Sequence, residues 1–422
     1  GKTQCFLGKD IIEEFGEIRR ESVVQITGLV KERPDNQKRD EPTGEIELSA
    51  TKLAVLSAAE PLPLELDDSI QTSEDNRLKY RYLDLRRPTM VNNLTMRHKL
   101  IQYIRNHMSD NKFLEITTPI LTKSSPEGAR DYLVPARLHP GKFYALPQAP
   151  QQYKQLLMVG GIDRYFQIAP CFRDENARAN RAPGEFYQFD VEMSFVHQED
   201  ILNMIEELMI KLVKDLFPEK KITEVPFPRL EFDDVMKKYG TDAPDIRKNK
   251  DDPNELGFCF VVNFPLFVKQ SEEDFFHGAG KEWGPGHHMF TMPRVEDLKL
   301  LDSEPGKARA YQHDLVMNGM EVGGGSIRIH DPKIQQKIFD LIGFSETQAA
   351  EFKHMIEAFT YGVPPHGGIA LGVDRLLMIL MNEPSIREII AFPKNKDARD
   401  VTMDAPSKVS KEQLDELGIK TK

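Results

Sequence analysis

Over residues 185–195 the chain alternates with a period of two. Tyr187, Phe189, Val191, Met193 and Phe195 fall on one side, and Gln188, Asp190, Glu192 and Ser194 on the other. That period predicts a β-strand with one apolar and one polar face. Further strands are predicted over 164–170, 258–264 and 314–329. Leu100, Ile101, Ile104 and Met108 recur at helical spacing, with Asn92 or Asn93 as the cap. Ile201, Met204, Ile205, Leu208, Leu212 and Leu216 do the same over 199–217. Two more helices are expected near 334–342 and 346–359. Strands and helices that mix without strict alternation predict an α+β fold with a mostly antiparallel sheet.

Three regions separate on pattern. Residues 1–60 hold β-rich runs at 23–30 and 45–48 around the polar loop 31–44, which reads as a fragment of a small β-barrel. Pro61-Leu62-Pro63-Leu64 and the acidic stretch to Asp75 read as an extended linker, because proline disfavours helix at and before its position. The remainder is long enough for one large domain, with a polar loop at 240–254.

Composition narrows the function classes. Lys and Arg number 56 against 67 Asp and Glu in 422 residues, a net charge of −11. This excludes a uniformly basic nucleic-acid binder but not a local basic patch. Cys5, Cys171 and Cys259 form no CxxC pair, which excludes a disulfide framework or cysteine zinc site and points to a reducing, cytoplasmic compartment. The longest apolar runs, such as 376–381, fall far short of a membrane span. The chain opens on Gly1 without an initiator Met, which leaves room for a preceding segment.

The polar face of the 185–195 strand reads either as a solvated surface or as the floor of a ligand pocket. Cys171-Phe172-Arg173-Asp174-Glu175 precedes it, followed by Arg178, Arg181 and Pro183-Gly184. An arginine at a strand end suits a two-pronged grip on phosphate or carboxylate, although a structural ion pair would use it equally. In Glu321-Val322-Gly323-Gly324-Gly325-Ser326-Ile327-Arg328 the glycines mark either a close approach of ligand or a plain bulge. Glu321 and Arg328 have opposite strand parity, so they share a pocket only if a bulge falls between them. The run 367–377 enters a helix with Arg375 in its early turns. Neither a P-loop nor a dinucleotide fingerprint is present.

Together these segments resemble the class II aminoacyl-tRNA synthetases, and among them the bacterial-type aspartyl group. The family's first motif is matched from Leu100 through Thr118-Pro119, its second from Phe172-Arg173-Asp174-Glu175 through Phe195, and its third over 367–376. Ser125-Pro126-Glu127-Gly128-Ala129-Arg130-Asp131 is similar to the loop over the amino-acid site, and Gln148-Ala149-Pro150-Gln151-Gln152-Tyr153-Lys154 to the segment that reads aspartate. The likeness runs from Gly1 to about Ser407.

The resemblance implies a class II antiparallel sheet flanked by helices and preceded by a partial OB-fold anticodon-binding barrel. The divisions are a barrel at 1–60, a hinge at 61–91 and a catalytic domain at 92–422. It also implies a homodimer through 100–119. The reaction implied is activation of L-aspartate with ATP and Mg²⁺, then transfer to the 3′ end of tRNA(Asp), with tRNA(Asn) as a further partner. In the family's positions Lys154 and Arg328 would face the side-chain carboxylate, and Glu127, Gln151, Gln188 and Asp190 the α-ammonium. Arg173 would hold the α-phosphate and Arg375 the terminal phosphates. Phe186 and Arg375 would sandwich adenine near Glu175, and His287 and His288 would flank the phosphates. Asp314 and Glu321 would carry Mg²⁺; Arg173, Arg375 and Glu321 form the catalytic set. Arg178 and Arg181 would meet the tRNA acceptor end.

The chain departs from that pattern in three places. The early barrel strands are not seen, the usual insertion near 245–258 is absent, and Gly184 adds a residue to the second-motif loop. Other readings predict other residues. An asparaginyl or lysyl relative would lack the Lys154 and Arg328 pair. A non-catalytic tRNA-binding paralogue would lose Arg173, Arg375 or Glu321. A stand-alone amino-acid ligase of this fold would lack the barrel.

Overall fold

The computed structural model describes residues 2–16, 18–124, 129–175, 184–270 and 282–420. The chain divides into two compact units, Gly1–Tyr80 and Arg81–Lys422. In the first, β1 (Cys5–Phe6) runs parallel to β3 (Ile46–Ser57), which pairs antiparallel with β2 (Val23–Glu32). Both long strands extend beyond their predicted bounds. The expected linker is extended only in its first half. Ser73 Oγ accepts from the backbone N–H of Asn76 and starts a helix, Glu74–Lys79, that buries Leu78.

In the second unit the first long helix, α1 (Pro88–Asp110), begins before the expected asparagine cap. Pro88 occupies its first turn, where a missing N–H costs nothing. Next come β4 (Leu114–Glu115), α2 (Gln151–Val159), β5 (Arg164–Arg173) and β6 (Gly184–Ser194). Then α3 (Gln198–Leu216) starts with a capping box in which the Asp200 side chain accepts from the His197 backbone N–H at 2.7 Å. β7 (Arg229–Glu231) and β8 (Phe258–Val262) follow. The predicted 314–329 run is two strands, β9 (Gln312–Met317) and β10 (Met320–Ile327), joined by a turn with Asn318 and Gly319 at positive φ. The expected 346–359 helix is likewise two, Glu346–Ala350 and α4 (Lys353–Thr360). β11 (His366–Gly372) runs directly into α5 (Val373–Leu380).

Eight strands form one sheet in the order β7-β8-β9-β10-β11-β6-β5-β4. All internal pairs are antiparallel; only the two edge strands, β7 and β4, pair in parallel. The α+β reading therefore holds. Phe189, Val191 and Met193 of β6 point to the face where Leu100, Ile104 and Met108 of α1 and Ile201, Ile205, Leu208 and Leu212 of α3 are buried. At about 1.5–3 kcal/mol for each buried side chain of this size, that layer is the main anchor of the unit. It leaves the opposite face of the sheet open. Phe195, expected on the apolar face, is instead 73% exposed at positive φ, because β6 ends one residue earlier. Among the described residues no helix is long and apolar enough to cross a membrane.

Candidate active site

The open face is polar by register. Asp190 lies opposite Ala370, Ala370 opposite Gly324, and Gly324 opposite Asp314. The neighbouring row is Glu192, Gly368, Ser326 and Gln312. Small residues in the middle of each row let the acids lean across the sheet. A Cβ on Gly324 would lie 2.4 Å from Asp314 Oδ1, and one on Gly368 would lie 2.3 Å from Glu192 Oε2. The bulge that the parity of Glu321 and Arg328 required is present: Leu315 pairs with Gly323 but Val316 with Glu321, so Val322 is the extra residue. Both Glu321 and Arg328 accordingly line one cavity of about 300 Å³ above the sheet. Gln151, Lys154, Gln188 and Asp190 line it at one side, and Arg173, Glu175, Phe186, His287, His288, Asp314 and Arg375 line the rest. Glu127, Arg178 and Arg181 lie outside the described residues.

Four charges are buried together at the first of these sides. Lys154 Nζ from α2 is 2.6 Å from Asp190 Oδ1 and 3.2 Å from Glu192 Oε2. Arg328 holds Glu192 with two prongs, Nε to Oε1 at 2.9 Å and Nη2 to Oε2 at 3.2 Å. None of the four is more than 2% exposed. Two cations against two carboxylates make the group electroneutral, which is what burial demands. Burial pushes both acids up. At Glu192 the Arg328 and Lys154 charges outweigh it and hold the carboxyl at about 2. At Asp190 burial wins, and the carboxyl stays above its ordinary value despite Lys154. Asp190 Oδ2 is buried without a hydrogen-bond partner, so this acid can still accept one.

The Arg173 guanidinium lies 5.0 Å from the ring centre of Phe186 and so covers that ring. The two histidines face different partners. His287 Nε2 approaches Asp314 Oδ2 at 3.4 Å; burial lowers its pKa, but Asp314 outweighs burial and raises it overall. His288 Nε2 accepts from Arg328 Nη1 at 2.7 Å, and burial with the Arg328 and Lys154 charges holds it well below its ordinary value, hence neutral. Arg375 donates through Nη1 to the backbone carbonyl of Glu321. Asp314 Oδ1 accepts from Gln312 Nε2 at 2.8 Å.

Asp314 and Glu321 fit a Mg²⁺ ion. Among the described residues no three His, Cys, Asp or Glu groups cluster as a metal cage, but Mg²⁺ commonly takes only one or two carboxylates and completes its shell with phosphate and water. Gly324 leaves the space into which the Asp314 carboxylate leans.

The cavity therefore joins an electroneutral, buried charge cluster to an arginine-rich mouth with paired carboxylates. Over residues 73–396 the chain matches the family described as tRNA synthetases class II (D, K and N). The chain belongs to that family. An aspartate–tRNA(Asp/Asn) ligase of Dehalococcoides mccartyi is 38% identical over 96% of this chain and 89% of the relative. One from Caldanaerobacter subterraneus is 39% identical over 98% and 89%. Among solved structures, an Entamoeba histolytica asparaginyl-tRNA synthetase in complex with asparaginyl-adenylate has the same fold, with a TM-score of 0.72 at 22% identity over 93% of this chain and 88% of that one. The Dehalococcoides alignment runs over 539 positions against 422 residues here, so that relative carries stretches this chain lacks.

Within this synthetase site, the residue that sequence reasoning missed is Glu192. It shares the parity of Asp190, and that was the available signal; nothing in the pattern showed that two cations converge on it. Glu192→Gln should cost about 3 kcal/mol at neutral pH, since it removes the acid that both cations face. The stability that an ionised Glu192 contributes is complete above the carboxyl's ordinary 4.5 and is lost as pH falls toward about 2. Unfolding midpoints of the two proteins should thus differ most near pH 7, begin to approach each other below about 4.5, and converge only as pH reaches about 2. A difference that does not change with pH would contradict the assignment.

Proposed function

We propose that the chain is an aspartate–tRNA ligase, which activates L-aspartate with ATP and transfers the aspartyl group to the 3′ end of tRNA. The buried Lys154–Asp190–Glu192–Arg328 cluster is the observation that carries this reading. A free aspartate brings one ammonium and two carboxylates; the reacting α-carboxylate belongs with the arginines around the phosphates, which leaves the ammonium and the side-chain carboxylate to the cluster. The ammonium suits Asp190, which lines the cavity with an unused acceptor. As Asp190 turns to it, Lys154 is released to the incoming carboxylate alongside Arg328, while Glu192 stays as the fixed counter-charge. The count of buried charges remains balanced throughout. Asparagine offers no negative charge to the two cations, and a lysine side chain would add a third cation.

The residues around the nucleotide follow the same logic. Aspartate's α-carboxylate attacks the α-phosphorus of ATP in line and pyrophosphate leaves. Arg173 would neutralise charge at the α-phosphate and Arg375 at the terminal phosphates, with Phe186 and Glu175 serving adenine. Asp314 and Glu321 would hold Mg²⁺, which when bound shields the phosphate charge. His287, whose pKa Asp314 raises when no metal is bound, lines the same mouth. A terminal ribose hydroxyl then attacks the aspartyl carbonyl of the adenylate, the acyl–phosphate bond breaks and AMP leaves, its phosphate taking up the hydroxyl proton; positioning and electrostatics suffice for this.

This reading takes residues 1–60 as part of an OB-fold, and the sequence near 245–258 as the point where longer relatives carry an insertion. That no disulfide joins the three cysteines suits a cytoplasmic site. The names of the relatives favour charging of tRNA(Asn) as a second activity, read by aminoacylation of both tRNAs side by side.

Purified protein should exchange pyrophosphate into ATP with aspartate and not with asparagine or lysine. Arg328→Lys keeps one charge but loses the two-pronged contact; it should raise the KM for aspartate by about a hundredfold while that for ATP moves little. Exchange driven by asparagine or lysine, or equal loss of both substrates in the variant, would refute the assignment. We further propose a homodimer through the 100–119 region, beside which Leu114, Ile120 and Leu121 are exposed. Sedimentation should give twice the chain mass at micromolar concentration; a monomer would contradict it.

A further inference from the structure

Asp374 stands beside Arg375 in the first turn of α5, and its carboxylate joins three elements. Oδ1 accepts from Arg97 Nη2 of α1 at 2.8 Å, and Oδ2 accepts from the Tyr187 backbone N–H of β6 at 3.5 Å. The Arg97 guanidinium in turn lies 5.5 Å from the centre of the Tyr187 ring. Asp374 is 4% exposed. A buried ion pair is a weak source of net stability, because desolvation offsets most of the attraction; what it supplies is fixed geometry. Here the geometry is specific. Tyr187 sits between Phe186 and Gln188 on β6, and Asp374 immediately precedes Arg375. The ladder between β11 and β6 ends at Gly372–Gln188, and this one carboxylate carries the connection past it, from the strand that presents Phe186 to the helix turn that presents Arg375.

We propose that Arg97 and Asp374 are positioning residues of the nucleotide site: their ion pair ties the first turn of α5 to α1, their contacts with Tyr187 tie it to β6, and together these hold Arg375 in place above the cavity. Asp374 lines the cavity with both carboxylate oxygens engaged by Arg97 and Tyr187. The role rests on reading the cavity as an ATP-activating site and adds two residues to it, one of them on α1.

The test is calorimetric binding of ATP and of aspartate, measured separately on the full chain. Asp374→Asn should weaken ATP about tenfold, the loss of one charge-assisted hydrogen bond, with aspartate affinity unchanged. Arg97→Lys, which keeps the cation, should retain most of the ATP affinity, whereas Arg97→Gln should behave like Asp374→Asn. On an Arg375→Ala background, Asp374→Asn should weaken ATP no further, because the residue it positions is gone. Equal loss of both ligands, full additivity with Arg375→Ala, or no change in ATP affinity would each overturn the proposal. Should Asp374→Asn fail to fold, the Arg97→Lys and Arg97→Gln pair gives the same decision. A wild type that binds ATP but not aspartate would sink the functional reading and leave the ATP comparison decisive for this one; a wild type that binds no ATP would overturn both.

Discussion

A low-dielectric interior accepts charge only in balanced groups, and the site is organised by that constraint. Lys154, Asp190, Glu192 and Arg328 come from three segments, α2, β6 and the end of β10, each residue buried, useless alone and costly if unpaired. Glu192 is the hub: both cations touch it, and their combined charge keeps it ionised although it is wholly enclosed. Removing any one member leaves an uncompensated charge, so stability depends on all four side chains, the same four to which the proposed function assigns aspartate recognition.

The sheet makes that group attainable. Its apolar face is closed by α1 and α3, which frees the other face for polar chemistry. Antiparallel register then brings acids from β6 and β9 into two adjacent rows, with Ala370, Gly324, Gly368 and Ser326 between them keeping the surface low. The bulge at Val322 turns Glu321 to the cavity side without moving Arg328. A single extra residue thus decides that nucleotide-side and amino-acid-side groups share one space.

Much of this was legible in the chain. Alternation over 185–195 located the polar face, and parity alone required the bulge. The described residues assigned through the family resemblance all line one cavity. What the pattern did not reveal depends on three-dimensional convergence. That Glu192 serves two cations, that His287 and His288 face different partners, and that Arg173 covers Phe186 follow from contacts between segments far apart in sequence. The start of α1 was placed too late, since its apolar repeat begins after the backbone helix that Pro88 opens, and the short helix capped by Ser73 was read as linker.

The central claim is that the buried cluster selects its ligand by charge rather than by shape, and L-asparagine, nearly the same size as L-aspartate, separates the two. Equilibrium binding of both amino acids to the wild-type chain at neutral pH is the most direct measurement. Aspartate should bind tighter by about a hundredfold or more, because a site built around two cations discriminates strongly against a neutral amide. Equal affinity, or preference for asparagine, would contradict the account.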